Sequence, residues 1–299
     1  MPMIKTQPTE NGSPAPAAAP ANATSRVLPP QPFMLWRRRD LIGQLAGREV
    51  TQRFRGAVLG VAWSLINPLI NLAIYTFVFC GIFHARWSDV GYDGALADSK
   101  SFFALMLFAG LIPFTVFSEV ATRAPTLILS VPSYVKKVVF PLEVLPVVVV
   151  ISTIVHSLLS IGILLIGSLI FMHCVTPAVF LLPLAYVPLA LGCVGLCYFL
   201  ASLGMYVRDM AQAIGPVVSI LSFLTPIFYP PSAKFLADYQ WLVYLNPLTM
   251  VVQVFRRTVL PGPGFPWLGW SIITAVSIVM AIGGYLWFMK TKNGFADVL

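Results

Sequence analysis

The sequence predicts an all-α integral membrane protein with six transmembrane helices. Of its 299 residues, 58% are hydrophobic and only 10% are charged, and the mean hydropathy is +0.84. A soluble chain carries about 25% charged residues to cover its surface. Uncharged apolar stretches recur along the whole chain after residue 56, and hydrocarbon is the solvent that suits such a surface.

Six apolar stretches are long enough to cross the hydrocarbon core, which is about 30 Å thick and needs about 20 helical residues. They cover residues 58–83, 102–121, 141–172, 178–206, 211–229 and 267–289. We therefore expect residues 33–299 to form one transmembrane domain. Residues 1–32 are rich in proline and alanine and poor in large apolar residues, which predicts a disordered cytoplasmic tail.

Lysine and arginine set the predicted orientation. They outnumber aspartate and glutamate by 19 to 11. With the N-terminus in the cytoplasm, 14 of these 19 basic residues lie on the cytoplasmic side, and the positive-inside rule favours that arrangement with both termini inside. The five left outside are Arg86, Lys100, Lys234, Arg256 and Arg257. Because membrane retention accounts for the basic excess, we expect no nucleic-acid partner.

Residues 33–56 alternate basic and apolar groups at helical spacing. The apolar side carries Leu41, Leu45, Val50 and Phe54, and the opposite side carries Arg48, Gln52 and Arg55. This pattern predicts an amphipathic helix that lies in the membrane interface, with Arg48, Arg53 and Arg55 as its interfacial charges. A solvated cytoplasmic helix is the alternative.

Two connections are longer than a turn requires. Residues 122–140 form a predicted cytoplasmic segment that is apolar and contains Lys136 and Lys137, so we expect a partner protein to cover it. Residues 230–266 contain prolines and aromatic residues; they are too interrupted to span and too apolar for free solution. We predict that they form a re-entrant or interfacial segment outside the cell.

The first predicted span carries a stripe in which Trp63, Asn67, Asn71 and Tyr75 recur every four residues. Successive members are rotated by only about 40° around the helix, so they share one face. Burying two carboxamides in lipid without partners costs several kcal/mol, so the stripe must face protein or an aqueous passage. Helix packing and pore lining both remain open. A second face of mixed polarity in the fifth span carries Ser219, Ser222, Phe223 and Pro226.

Ionisable groups inside the spans are few. His156 lies within the third span, and we interpret it as a neutral, hydrogen-bonded packing residue. Glu119 and Glu143 lie near cytoplasmic ends, where they can reach Arg123 and Lys137. A proton- or sodium-driven carrier needs an acid near the membrane midplane, and a membrane-embedded glycosyl- or acyltransferase needs acids or histidine near one face. The sequence supports neither class.

The sequence also lacks nucleotide- and metal-binding patterns. No G-x-x-x-x-G-K-[ST] loop occurs in the 299 residues, so we expect this chain to bind no ATP in that manner. Cys193 and Cys197 are four residues apart, but no histidine or acid accompanies them at ligand spacing, which argues against a metal site. We therefore predict a transport subunit without catalytic residues and without a cofactor of its own.

Several short runs, in order, resemble the ABC-2 type permeases that export bacterial polysaccharides. They are Arg53-Phe54-Arg55-Gly56 with Leu59, Gly60, Trp63 and Pro68; Phe140-Pro141-Leu142-Glu143; Arg208-Asp209; Pro226-Ile227-Phe228-Tyr229-Pro230; and Leu245-Asn246-Pro247. The closing run 292–297, KNGFAD, looks most like the O-antigen (lipopolysaccharide) exporters. Capsule and teichoic-acid exporters remain open, as does an ABC-2 type exporter of drugs or lipids.

The resemblance implies a homodimer bound to two copies of a separate nucleotide-binding subunit, which carries the ATP and Mg²⁺. A lipid-linked polysaccharide would cross the bacterial inner membrane through a channel at the dimer axis. The family's interface helix corresponds to residues 33–56, and its coupling helix to residues 122–137. Its re-entrant external helices correspond to the segment between spans five and six.

The resemblance also assigns site residues. Aromatic side chains line the channel in this family, and the equivalents here are Tyr75, Phe79, Phe223 and Tyr229. With the stripe, the predicted channel lining is Trp63, Asn67, Asn71, Tyr75, Phe79, Phe223 and Tyr229. The predicted ATPase-coupling residues are Pro125, Leu127, Ser130, Ser133, Tyr134, Lys136 and Lys137.

Overall fold

The structure, a computed structural model, describes residues 36–52, 62–82, 87, 99–132, 140–231 and 238–295. Every regular element within these residues is helical. The predicted tail at 1–32 lies outside the described residues. So do six predicted site residues: Arg53, Arg55, Ser133, Tyr134, Lys136 and Lys137.

The helices are numbered here along the chain. They are α1 (Arg39–Gln52), α2 (Ala62–Thr76), α3 (Lys100–Arg123), α4 (Val144–Met172), α5 (Leu182–Tyr206), α6 (Met210–Leu224), α7 (Gln240–Leu245), α8 (Pro247–Val259) and α9 (Trp267–Thr291). A π-helical turn, Phe77–Ile82, extends α2. Short 3₁₀ turns at Ala124–Thr126, Pro177–Leu181 and Lys292–Gly294 adjoin α3, α5 and α9.

Four of the described helices, taken with their 3₁₀ turns, have the length and apolar composition needed to cross a membrane. They are Lys100–Thr126, Val144–Met172, Pro177–Tyr206 and Trp267–Gly294, which correspond to the predicted second, third, fourth and sixth spans. The predicted first and fifth spans contain the apolar helical stretches Ile66–Phe79 and Met210–Leu224, which are shorter. Within the described residues, the structure thus supports an all-helical membrane protein with four helices long enough to span and two shorter apolar helices.

The fifth span was predicted to continue to residue 229, but α6 ends at Leu224. Thr225 has an extended backbone with φ −80° and ψ 132°. The residue after it is Pro226, whose ring disfavours helical geometry at the preceding residue. Residues 225–229 therefore lie beyond the helix, and the peptide groups of this segment need partners elsewhere.

A short helical pair, α7 and α8, follows where the sequence predicts a segment unable to span. Asn246 organises it: the side-chain Oδ1 accepts from the Leu248 backbone N–H at 3.0 Å, which caps α8. Pro247 occupies the first helical turn, where its missing N–H removes no intrahelical hydrogen bond. The Asn246 Nδ2 donates to Thr225 Oγ1 at 2.9 Å and so links α8 to the end of α6.

Helix α3 is the centre of the bundle. Of the four long apolar helices it is the most enclosed. In its most apolar stretch of 18 residues 72% is buried, compared with 22% of the corresponding stretch of α9. Its buried side chains include Phe102, Phe103, Met106, Leu107 and Ile112. A central helix of this kind contacts several neighbours at once, and both ends of α3 carry contacts to distant parts of the chain.

Helix α1 packs on α4, a contact that the sequence did not predict. Its buried residues are Ile42 and Ala46, which lie against Val144 and Val148, while Leu41 and Leu45 are half-buried at the edge of this contact. The small side chain of Ala46 allows α1 to approach α4 closely. Arg48 is exposed, as the predicted polar side requires, and Phe54 lies outside the described residues.

Helices α5 and α9 cross in close contact because both have glycine at the crossing. A Cβ atom added to Gly195 would overlap the backbone of Met280, and one added to Gly284 would overlap the backbone of Gly195. The neighbouring Gly283 has no atom within 4 Å of its hypothetical Cβ. The two adjacent glycines of α9 therefore have opposite environments.

This contrast gives a stability prediction. Gly284→Ala should destabilise the protein, because the added methyl group forces α5 and α9 apart, and overpacking costs about 1–3 kcal/mol. Gly283→Ala should leave stability unchanged or raise it slightly, since alanine is the better helix former. Thermal unfolding of the two variants in detergent would check this. Equal melting temperatures would show that the helices do not meet at Gly284.

Candidate functional site

A buried arginine lies beside the break at the end of α6. Arg256 of α8 is 3% exposed, and its guanidinium donates to three backbone carbonyls. Nη1 donates to the Pro226 oxygen at 2.7 Å, Nη2 to the Ile227 oxygen at 2.7 Å and Nε to the Met106 oxygen of α3 at 2.9 Å. The Trp87 ring centroid lies 4.3 Å from the guanidinium carbon, a cation–π distance.

Sequence reasoning counted Arg256 among the external charges and missed its burial. A buried charge is tolerated only when it is hydrogen-bonded, and here all three nitrogens of the guanidinium have an acceptor. The acceptors at Pro226 and Ile227 are the peptide groups beyond the end of α6. Arg256 therefore fixes the chain immediately before Phe228.

Phe228 is the centre of an aromatic group. Its ring centroid lies 5.0 Å from Phe79 with nearly parallel planes, 5.2 Å from Tyr75 and 6.1 Å from Phe223. These are three of the four aromatic residues predicted to line a channel, and the structure brings them together. The fourth is Tyr229, whose hydroxyl donates to the Phe223 backbone oxygen at 2.8 Å and to the Leu224 backbone oxygen at 3.3 Å. It thereby supplies a donor to the last carbonyls of α6.

A cleft of about 320 Å³ begins at this aromatic group and runs between α2, α3, α4 and α6. Its polar and aromatic lining, within the described residues, consists of Asn67, Asn71, Tyr75, Phe108, Phe114, Thr115, Ser118, Glu119, Thr153, His156, Ser157, Ser160, Ser222 and Phe228. Three members of the predicted stripe thus face one cleft. Trp63 is 45% exposed and does not line it.

The two stripe carboxamides, Asn67 and Asn71, are exposed. Within the described part of the chain, neither side chain makes a hydrogen bond, so they do not hold α2 to another described helix. Both interpretations left open by the sequence, helix packing and pore lining, stay predictions; within this chain the two carboxamides line the cleft. Sequence reasoning missed the opposite wall on α3 and α4, although its hydroxyl residues recur at helical spacing from Thr153 to Ser160.

An ion-pair network closes one end of the cleft. Arg123, the last residue of α3, pairs with Glu49 of α1 and donates to Glu119 Oε1 at 3.2 Å. The Thr153 hydroxyl of α4 donates to the same Glu119 oxygen at 3.3 Å. The predicted contact between Glu119 and Arg123 is therefore present. His156 lines both this cleft and an adjoining cavity of about 350 Å³ beside the network.

A second ion-pair network surrounds Glu143, which is 3% exposed. Lys292 Nζ donates to Glu143 Oε2 at 2.6 Å, and Arg38 Nη1 lies 3.5 Å from the other carboxylate oxygen. The predicted partner, Lys137, lies outside the described residues. The Tyr198 hydroxyl donates to the Glu143 backbone oxygen at 2.6 Å. Two runs that carried the family resemblance, 140–143 and 292–297, therefore meet in space.

The predicted coupling segment is only partly available to a partner. Pro125 is buried, and its carbonyl lies against Gly204 of α5, where no Cβ atom would fit. Leu127 is half-buried, and Ser130 is exposed. Ile128, next to Leu127, is fully buried. Within the described part of this segment, Pro125 and Ile128 are thus covered by the chain itself, while Thr126, Ser130 and Pro132 are exposed.

The described residues contain no group of three or more histidine, cysteine, aspartate or glutamate side chains placed to hold a metal ion. Cys193 and Cys197 are buried in α5, and Cys174 is exposed; all three are free thiols. The chemistry of the cleft is therefore that of hydroxyls, carboxamides and aromatic rings, with one ion-pair network at its end.

Comparison with known proteins identifies the family. The sequence model of the ABC-2 type transporters matches residues 40–260, from α1 to the end of α8. The chain belongs to the ABC-2 type transporter family. This confirms the resemblance stated on the short runs, and it makes the chain a membrane-spanning transport subunit rather than one of the enzyme classes considered above.

Relatives within this family share about a quarter of their residues with the chain. The O-antigen export system permease protein RfbA of Myxococcus xanthus is 26% identical over 268 residues, covering 88% of this chain and 96% of the relative. A protein of the same name from Klebsiella pneumoniae is 24% identical over 87% and 95%. The polysialic acid transport protein KpsM of Escherichia coli is 24% identical over 72% and 79%.

The network around Arg256 predicts how this ABC-2 type subunit loses stability. Arg256→Gln should destabilise the chain by about 3–5 kcal/mol, because it removes buried hydrogen bonds and leaves backbone carbonyls without donors. Lys290→Gln, which removes an exposed charge from α9, should have little effect. Unfolding of both variants in detergent would check this. A similarly small loss for both would mean that the three carbonyls have other donors.

Proposed function

We propose that this ABC-2 type subunit is the permease of an ATP-driven exporter that moves lipid-linked polysaccharide, O-antigen in the first instance, across the bacterial inner membrane. The observation that carries the proposal is the cleft that joins the aromatic group around Phe228 to the carboxamides of Asn67 and Asn71. The names of the relatives that cover most of the chain support it.

The chemistry of the cleft suits a glycan. Sugar rings present C–H faces that stack on aromatic side chains, and their hydroxyls exchange hydrogen bonds with amides and hydroxyls. Tyr75 and Phe228 supply rings, while Asn67 and Asn71 supply side chains that both donate and accept. Because most of these groups are uncharged, a polymer can slide along them without being held at one tight site. ATP hydrolysis supplies the work, so no proton-coupled acid is needed at the midplane.

The proposed topology has six spans with both termini in the cytoplasm. The short helices α2 and α6 would be the first and fifth of these six spans. The π-helical turn carries α2 to Ile82 and to a length of about 30 Å, which matches the hydrocarbon core. In a homodimer, the face of α2 that carries Trp63 and the exposed Phe223 of α6 would meet their counterparts across the axis. The pair α7–α8 would be the re-entrant external element.

The proposed partner is a nucleotide-binding subunit, two copies per dimer, with ATP and Mg²⁺ bound on that subunit. Its docking surface on this chain is the exposed side of the coupling segment, which includes Thr126 and Ser130. The predicted coupling residues Ser133, Tyr134, Lys136 and Lys137 lie outside the described residues. The N-terminal helix α1 would lie in the membrane interface with Arg48 towards the headgroups. The tail at 1–32 is assigned no role.

The Arg123 network supplies a route by which movement of the ATPase subunit can reach the cleft. Arg123 directly precedes the turn Ala124–Thr126, where the coupling segment begins. It holds Glu49 of α1 on one side and Glu119 of the cleft on the other. When the ATPase subunit moves this turn, α1 and the cleft end of α3 should move with it, because the ion pairs join all three elements.

A capsular polysaccharide or teichoic acid is the second candidate substrate. The polysialic acid transport protein supports this class, but its match covers 72% of the chain, compared with 87–88% for the O-antigen permeases. Because of this difference in coverage, O-antigen is the first candidate substrate. An exporter of drugs or lipids has no support among these relatives. Deleting the chain in its own host and analysing the missing surface glycan would identify the polymer.

The aromatic group predicts a transport defect without loss of the protein. Phe223 is 70% exposed, so Phe223→Ala should preserve folding but remove one stacking surface, worth about 1–3 kcal/mol by analogy with bases on aromatic platforms. Glycan export should fall, and the double variant Tyr75→Ala, Phe223→Ala should nearly abolish it. Phe180→Ala, at a 90% exposed position outside the cleft, is the matched control. Surface glycan and abundance of the complex are measured together. Normal export by an intact double variant would exclude this group from the path.

The coupling surface predicts contact with the ATPase subunit. A cysteine at Ser130, carrying a photoreactive group, should crosslink to that subunit in the assembled complex, because this position is exposed beside the buried Pro125. A cysteine at Ser271, exposed at the opposite end of the proposed topology, should not. The native cysteines are first replaced by alanine. Crosslinking from Ser271 and none from Ser130 would reverse the proposed orientation.

A further inference from the structure

A cavity of about 330 Å³ lies between α8 and the first turn of α9. On α8 it is lined by Met250, Gln253, Val254 and Arg257, which recur at helical spacing on one face. On α9 it is lined by Trp267, Leu268 and Gly269. None of the residues lining this α8–α9 cavity lines the glycan cleft. It is therefore a separate site, and its role does not depend on the proposed glycan path.

The polar side chains of the α8–α9 cavity are donors. Arg257 is half-buried, and within the described residues its guanidinium has neither an ion pair nor a hydrogen bond. This contrasts with its neighbour Arg256, whose guanidinium has three carbonyl acceptors. The Gln253 Nε2 atom is buried without a hydrogen-bond acceptor. Among the described residues that line the cavity, none is acidic. A cation and an amide with an unpaired N–H donor thus lie together at a site without a described carboxylate.

The start of α9 adds to this arrangement. The first N–H groups of a helix have no intrahelical acceptor, and they carry the positive end of the helix dipole. In α9, the Trp267 N–H donates to the Phe265 oxygen at 3.0 Å, and the Trp270 N–H to the Pro266 oxygen at 2.8 Å. The N–H groups between them, of Leu268 and Gly269, belong to residues that line the cavity. The site is therefore built to accept the oxygens of an anion.

The apolar neighbours indicate where that anion comes from. Trp267 is 56% exposed and Leu268 78% exposed, and tryptophan is enriched where a membrane helix meets the headgroups. Met250 adds an apolar surface inside the cavity. A soluble anion gains nothing from these groups, whereas a lipid places its phosphate beside Arg257 and its chains against the apolar side chains. From this geometry we infer that the α8–α9 cavity binds the phosphodiester headgroup of a membrane phospholipid, at the end of the bundle where α9 begins.

The test uses the full chain in nanodiscs of phosphatidylcholine with phosphatidylglycerol, and native mass spectrometry of the lipids it retains on release. Arg257→Gln should lower retained phosphatidylglycerol by roughly tenfold or more, because a charge-assisted hydrogen bond is lost. Gln253→Leu should lower it by a smaller factor. Lys100→Gln, which removes an exposed cation at the start of α3, should retain lipid like the unsubstituted chain.

A second arm separates lipid from free anion. Inorganic phosphate, added to the chain in detergent, should not displace retained phosphatidylglycerol at concentrations at which added phosphatidylglycerol does. Displacement by phosphate alone would overturn the assignment to a lipid. Equal lipid retention by the unsubstituted chain, Arg257→Gln and Gln253→Leu, with unchanged melting temperatures, would overturn the site. If Arg257→Gln does not fold, Gln253→Leu alone decides between these outcomes.

Discussion

The hydrogen bonds of Arg256 determine how the helical bundle is put together around the end of α6. Helix α6 stops at Leu224, so the peptide carbonyls of Pro226 and Ile227 have no helical donors, and buried carbonyls need partners from elsewhere in the chain. A guanidinium offers five N–H donors in a planar fork, which is why one side chain can serve both carbonyls and the Met106 oxygen together. The break in α6 is stable because Arg256 occupies it.

The position of the aromatic group follows from that break. With Ile227 held by Arg256, the next residue directs its ring towards α2, where it meets Tyr75 and Phe79. Asn246 reinforces the arrangement by capping α8 and donating to Thr225 at the same break. The helix that supplies the arginine is thus itself anchored to the segment that the arginine organises. In the proposed exporter, the stacking surface for sugars is a consequence of backbone hydrogen bonding.

Interactions between residues close in sequence were predictable, and those between distant residues were not. Apolar length was enough to locate α3, α4, α5 and α9, and the spacing of Glu119 and Arg123 by one turn was enough to pair them. The burial of Arg256 depends on Met106, which is 150 residues away, and the partner of Glu143 is 149 residues away at Lys292. Nothing near these positions indicates such contacts. The short runs of the family resemblance include Glu143 and Lys292, and the Pro226 and Ile227 carbonyls that Arg256 binds, but they include neither Met106 nor Arg256.

Helix α3 connects the Arg256 network to the Arg123 network, because it holds the Met106 carbonyl near its start and Arg123 at its end. It has 24 residues and so is about 36 Å long, which exceeds the thickness of the hydrocarbon core. It is also the most enclosed of the long helices, and a close-packed interior transmits displacement rather than absorbing it. A shift of the turn at Ala124–Thr126 therefore has one direct mechanical route to the Arg256 network and the aromatic group, along α3. Coupling of ATP hydrolysis to a widening of the cleft would then require α3 to tilt or slide as a rigid body, with Arg256 moving Phe228 in step.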